Sequence, residues 1–162
     1  MLKNIVMNGI AMQEDSSLTI LDVARKHGID IPTLCFLKKD DCNFTHRPAS
    51  CRVCVVEVKG RRNLAPACAT YLEEGMEILT NSYKVRQERK NIVELLLSNH
   101  PNACLTCRKS NSCELQALSS KLGISNRLEF AGPLSQENKE YRHGSILRNP
   151  SKCILCNRCT AI

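Results

Sequence analysis

The sequence contains no Trp, and its three Phe and three Tyr hold aromatics to 4% of 162 residues. A short chain without large rings buries modest apolar area, so its cores need cross-links or metals. No segment approaches the roughly 20 consecutive apolar residues of a membrane-spanning helix. The N-terminal stretch MLKNIVMNGIAMQED lacks the apolar run and small-residue cleavage site of an export signal. Nor is there a glycine-rich phosphate loop of the Rossmann or Walker kind, so NAD or ATP is expected to bind a partner. These absences predict a cytoplasmic chain with no membrane span, held in a reducing compartment.

Against them stand 11 cysteines. An odd number without an export signal argues against a disulfide framework and toward metal ligation. The formal charge of +7 invites a nucleic-acid reading. The distribution weakens it, because the basic residues are interleaved with Asp and Glu and few aromatics are available to stack on bases. Thiolates bound to metal would lower the positive charge further.

Residues 1 to about 80 read as a compact α+β unit. A hairpin is predicted with Lys3 to Met7 and Ala11 to Gln13 flanking the turn pair Asn8-Gly9. Thr19 is placed as the N-cap of a short helix whose apolar face is Ile20, Val23 and Ala24, with His27 near its end and Gly28 beyond. Strands are expected over Val53 to Val58 and Met76 to Leu79. From Tyr83 to Leu97 the spacing turns helical, with Val85, Ile92 and Leu96 inward and Arg86, Arg89 and Lys90 opposite. Asn111 and Glu114 suggest a capping box for a helix over 112–122, which Gly123 stops. Residues 124–146 are polar and irregular, and read as a linker or wrapping arm.

The cysteines fall into three constellations. Cys35, Cys51, Cys54 and Cys68 are spaced C-x15-C-x2-C-x13-C. Spacing alone leaves a [2Fe–2S] cluster and a structural zinc equally open. His100, Cys104, Cys107 and Cys113 form a second set, again open to zinc on general grounds. Placing Cys113 in the first turn of a helix favours an anionic centre there. Cys153, Cys156 and Cys159 match the first three ligands of the bacterial ferredoxin run C-x2-C-x2-C-x3-C-P, without its fourth cysteine. Cys42 is left over, as a spare thiol or a replacement for Cys35.

The stretches IPTLC at 31–35, CRVCVVEVKGRRNLAPAC at 51–68, VELLLSNHPNACLTC at 93–107, SCELQALSSKLGI at 112–124 and NPSKCILCNRC at 149–159 carry a resemblance. They are similar, in the same order, to the N-terminal iron–sulfur region of the large electron-transfer subunit of NADH dehydrogenase (complex I). NAD-linked iron-only hydrogenases and NAD-dependent formate dehydrogenases share that region, and those two branches look most alike to this chain. The resemblance implies an α+β fold in four parts. Residues 1–80 are expected to form a β-grasp [2Fe–2S] ferredoxin-like domain, with Cys35, Cys51, Cys54 and Cys68 as ligands. Residues 81–123 are expected to form a small helical [4Fe–4S] domain whose cluster is held by one histidine and three cysteines, His100, Cys104, Cys107 and Cys113. A linker or arm over 124–146 and a partial ferredoxin motif over 147–162 follow, with Cys153, Cys156 and Cys159 as an incomplete [4Fe–4S] set.

It further implies an electron-transfer subunit or module, with no catalytic site of its own, inside an NAD(H)-linked oxidoreductase complex. Its expected partners are a flavin- and NADH-binding iron–sulfur subunit and a second redox catalytic subunit, in a hetero-oligomer that binds no nucleic acid. The second redox subunit belongs to a hydrogenase, a formate dehydrogenase or a flavin-based bifurcating complex. Two other readings stand beside this one: a zinc-dependent nucleic-acid or protein-binding module, and a truncated N-terminal part of a hydrogenase or formate dehydrogenase. Three departures from the family pattern accompany the resemblance. The loop after Cys35 is long and holds Cys42, Asn43 and His46; Ala49 and Asn157 stand where the family commonly has Gly; and no large catalytic domain follows. Ala49 and Asn157 are expected to be tolerated if their backbone avoids strained angles.

Overall fold

The computed structural model describes residues 1–37, 48–101, 103–124, 130, 132–135, 137 and 139–160. Cys42, Asn43 and His46 lie outside the described residues. The chain divides into two compact units, one of Met1–Arg89 with Asn157–Ile162 and the other of Lys90–Cys156.

The first unit is a mixed sheet with one covering helix. Strands β1 (Leu2–Met7) and β2 (Ile10–Asp15) pair antiparallel, Leu2 opposite Asp15 and Met7 opposite Ile10. Asn8 and Gly9 both take the positive φ that this tight turn requires. Helix α1 (Ile20–Lys26) follows, and then β3 (Val55–Val58), β4 (Ala65–Pro66) and β5 (Glu77–Leu79). The sheet order is β2-β1-β5-β3-β4, in which β5 runs parallel to β1 and antiparallel to β3. Ile5, Met7, Val56, Val58 and Ile78 from the sheet meet Ile20, Leu21, Val23 and Ala24 from α1 in one core.

Thr19 caps α1, and the cap is reciprocal. Its hydroxyl accepts from the Asp22 N–H while the Asp22 carboxylate accepts from the Thr19 N–H, so two donors at the helix start are satisfied together. The cap residue is legible in the sequence and its Asp22 counterpart is a finding of the structure. At the other end His27 closes the helix, and Gly28 adopts φ +68°.

Glu14 on β2 is 4% exposed, yet both its oxygens have side-chain partners: Lys26 Nζ lies 2.7 Å from one and His27 Nε2 2.7 Å from the other. These contacts, Lys26 first, hold the Glu14 carboxyl below its ordinary 4.5. They also tie the end of α1 to the edge hairpin.

Two elements differ from the sequence reading. The strand expected from Val53 begins at Val55, because Arg52 takes φ +59° and turns residues 51–54 out of the sheet plane. Helix α2 runs Tyr83–Ser98, but its buried residues are Val85, Arg89, Val93, Glu94 and Leu97. The inward row therefore advances in steps of four from Val85, and Arg89 sits within it rather than on the polar face.

In the second unit α3 spans Glu114–Lys121 with Leu115 and Leu118 buried, and Gly123 at φ +65° follows its end. Its N-cap is Cys113, not Asn111. Asn111 takes φ +68°, so the expected capping box is absent and no side chain caps α3. A hairpin of β6 (Tyr141–His143) and β7 (Ile146–Arg148) turns at Gly144, where residues 124–146 read as irregular throughout. Short exposed strands leave little hydrophobic alternation to detect. Asn99 and Ser135 exchange two hydrogen bonds, 2.7 and 2.8 Å, which anchor that stretch. Among the described residues no helix is long and apolar enough to cross a membrane.

Glu14 generates a pH prediction. A carboxylate whose folded pKa is depressed contributes stability above the unfolded value, near 4.5, and loses it as pH falls through the folded value. Glu14→Gln is expected to lower the thermal midpoint at pH 7. It is also expected to flatten the decline in stability on acidification below that value, read by circular dichroism melts over a pH series. Parallel wild-type and variant curves would count against the Glu14 contacts.

Candidate iron–sulfur sites

In the first unit Cys35, Cys54 and Cys68 are buried and Cys51 is half-buried. Cys54 and Cys68 place their sulfurs 3.3 Å apart. Cys35 and Cys51 form the other pair, with the Cys51 N–H 3.5 Å from the Cys35 sulfur. The Ala49 N–H donates to the Cys68 sulfur at 3.2 Å. Cys68 is set by its neighbour Ala67, whose N–H donates to the Cys54 carbonyl and whose carbonyl accepts from Leu21 in the first turn of α1.

Proton sharing within the pairs splits their acidities. Hydrogen bonding to Cys35 pulls Cys51 down to about 5, and hydrogen bonding to Cys68 pulls Cys54 down to about 7. The same contacts, and then burial, push Cys35 and Cys68 up. In each pair one thiol is thereby made the more acidic of the two, and the thiolate is the form that binds metal. Among the described residues no three His, Cys, Asp or Glu side chains converge tightly enough for one metal ion. Two thiol pairs match two irons that each take two thiolates.

The second set lies wholly within the second unit. His100, Cys104, Cys107 and Cys113 line one cavity, together with Gln116 and Lys152. His100 follows α2, and its Nδ1 is 3.2 Å from the Pro101 carbonyl. A carbonyl oxygen can only accept, so that contact is a hydrogen bond when the ring proton sits on Nδ1. Cys104 opens a single 3₁₀ turn, closed by the Cys107 N–H donating to the Cys104 carbonyl at 3.2 Å. Cys113, with φ −92° and ψ +113°, stands at the N-cap rather than inside the first turn of α3. Cys113 is thus the residue that leads into α3, and its side chain makes no capping hydrogen bond.

Cys153, Cys156 and Cys159 are placed differently. Cys153 and Cys156 belong to the second unit and Cys159 to the first, and the two outer ones are exposed. Leu155 and Asn157 have φ +53° and +57°. Asn157 and Ala49, at φ +67°, both occupy the left-handed region, so the condition on which they were expected to be tolerated fails. Asn is at home there and Ala is not.

Residues 4–83 match the family described as a 2Fe-2S iron–sulfur cluster binding domain. Residues 89–127 match the NADH-ubiquinone oxidoreductase-G iron–sulfur binding region. The chain is 46% identical over 155 residues to the NADP-reducing hydrogenase subunit HndD of Solidesulfovibrio fructosivorans, covering 96% of this chain and 26% of that protein. It is 37% identical to iron hydrogenase 1 of Clostridium pasteurianum, covering 98% and 27%. Against the NAD-reducing hydrogenase HoxS subunit gamma of Cupriavidus necator it is 32% identical, covering 96% and 63%. A chain in the crystal structure of an NAD+-reducing [NiFe]-hydrogenase in the H2-reduced state superposes with a TM-score of 0.82 at 27% identity, over 97% of this chain and 64% of that one. The chain therefore spans about a quarter of two of these relatives and under two thirds of the third.

The left-handed Ala49 beside Cys68 yields a stability prediction. Ala49→Gly removes a Cβ from a conformation that costs an L-residue about 1–2 kcal/mol, offset in part by the greater freedom of Gly in the unfolded chain. A net gain of about 1 kcal/mol is expected in chemical denaturation, with the visible absorption spectrum unchanged. A net loss would mean that the packing of Ala49 against the core outweighs its strain.

Proposed function

We propose that this chain, whose residues 4–83 and 89–127 match two iron–sulfur cluster-binding families, relays electrons through two clusters held by its own residues. The pairing of Cys35 with Cys51 and of Cys54 with Cys68 carries the proposal, because it matches the two-thiolate demand of each iron in a [2Fe–2S] centre. The order β2-β1-β5-β3-β4, with parallel β1 and β5, supports assigning residues 1–80 as a β-grasp domain. The shared cavity of His100, Cys104, Cys107 and Cys113 supports a [4Fe–4S] centre within residues 81–123. Residues 124–146 are then the arm, and 147–162 carry Cys153, Cys156 and Cys159 as part of a further cluster site.

When bound, the clusters supply one-electron chemistry at iron. The chain's own residues do the rest. Cys35, Cys54 and Cys68 are buried, so the first site is largely shut off from water, which strengthens every nearby charge and dipole. N–H groups of Ala49 and Cys51 donate to sulfur and stabilise it as thiolate. His100 contributes a neutral ligand in place of a thiolate, which makes the second centre less anionic than four cysteines would. On this reading the bond-making chemistry lies with the partners: a flavin- and NADH-binding iron–sulfur subunit on one side and a redox catalytic subunit on the other. The names of the relatives, an NADP-reducing and an NAD-reducing hydrogenase among them, support an NAD(P)-linked hydrogenase complex as the setting.

Protein purified without oxygen is expected to be brown and to contain about six irons with both sites filled, with two distinct EPR signals after reduction. His100→Ala should alter the signal of the second cluster and spare that of the first. A colourless protein with stoichiometric zinc overturns the proposal, and an unchanged pair of signals in the variant removes His100 from the ligands. Co-purification with a flavin-containing NADH-oxidising subunit tests the assignment of partners.

A further inference from the structure

Arg89 is 5% exposed, in the middle of the buried row of α2. A guanidinium carries five N–H donors and cannot shed its charge under ordinary conditions, so burying one is costly unless it is compensated. One terminal nitrogen donates to the Val55 carbonyl at 2.8 Å, one residue beyond Cys54. The Nε donor is also buried and meets no acceptor among the described residues. Burial draws Arg89 down to about 10, while the negative charges of Cys54 and then Asp30 act to keep it protonated. Asp30 is exposed, so water screens it. The sulfur of Cys54 is the one of the two that shares the low-dielectric interior with Arg89.

A brace between α2 and β3 needs one neutral donor to the Val55 carbonyl. It does not need a permanently charged group with a second, unsatisfied donor. Resting on the reading of Cys35, Cys51, Cys54 and Cys68 as [2Fe–2S] ligands, we propose that Arg89 is the internal counter-charge of that centre, a positioning residue whose fixed positive charge favours the reduced cluster and raises its potential. Reduction adds one electron, taking one iron from ferric to ferrous with no bond made or broken. The added negative charge strengthens its attraction to a cation held nearby in a poorly screened interior. Arg89 is already protonated at neutral pH, so its contribution requires no proton uptake.

The test is an EPR-monitored redox titration, with dithionite as reductant, on the full chain carrying both clusters. Wild type, Arg89→Lys and Arg89→Gln are compared. Arg89→Gln keeps a donor for the Val55 carbonyl and loses the charge, and should make the first cluster about tenfold harder to reduce, a fall of about 59 mV for one electron. Arg89→Lys keeps the charge and should recover most of that fall. The potential of the second cluster should stay put in both. Equal potentials in wild type and Arg89→Gln overturn the proposal, as do equal shifts in both variants. Loss of the first cluster alone in both variants also overturns it, in favour of a brace. Absence of the first signal from wild type itself is a separate outcome, which fells the ligand assignment and the inference with it.

Discussion

Four sulfurs that would bind iron as thiolates must be brought near one another, and repulsion between like charges opposes it. The first unit answers with backbone that is already committed elsewhere. Ala67 is held between the Cys54 carbonyl and the first turn of α1, so Cys68 arrives beside Cys54 as a consequence of sheet and helix packing. Arg52 and Ala49 take left-handed angles so that the Cys51–Cys54 turn and the Ala49 N–H face the remaining sulfurs. Strained backbone around a site persists only where the surroundings over-determine it, and here the core of Val56, Ile78 and α1 does so.

The second site is organised on a different plan. Its ligands come from a short stretch between α2 and α3, with one 3₁₀ turn and a helix start as the only regular backbone among them. Its cysteines are half-buried, and in the proposed cluster a neutral imidazole would replace one thiolate. Sheet and helix packing position the first set of cysteines, whereas a 3₁₀ turn and the approach to α3 position the second. Centres built on such different principles are expected to differ in potential.

Much of this is legible in residue order. The hairpin around Asn8-Gly9, the Thr19 cap and the extent of α2 follow from turn chemistry and periodicity, which are local properties. The Asp22 half of the capping box, strand β4 and the β6–β7 hairpin do not stand out, because two- and three-residue strands have too few positions to show a period. Periodicity also puts Arg89 on the wrong face. An apolar-only reading of α2 selects Ile92 and Leu96, while the buried row runs in steps of four through a charged residue.

Residue order alone specifies the kinds of ligand, their number and their grouping, since metal preference is written in side-chain chemistry and short spacings. It also carries the resemblance that separates iron–sulfur chemistry from zinc. Which sulfurs share an iron's worth of space is a matter of folding. Residues 35 and 51, or 54 and 68, meet only because the sheet and α1 fold back on each other. Folding likewise puts the Arg89 charge in the interior against the carbonyl of Val55, the residue after Cys54, because burial depends on what packs over a helix face, and that is settled by contacts distant in sequence.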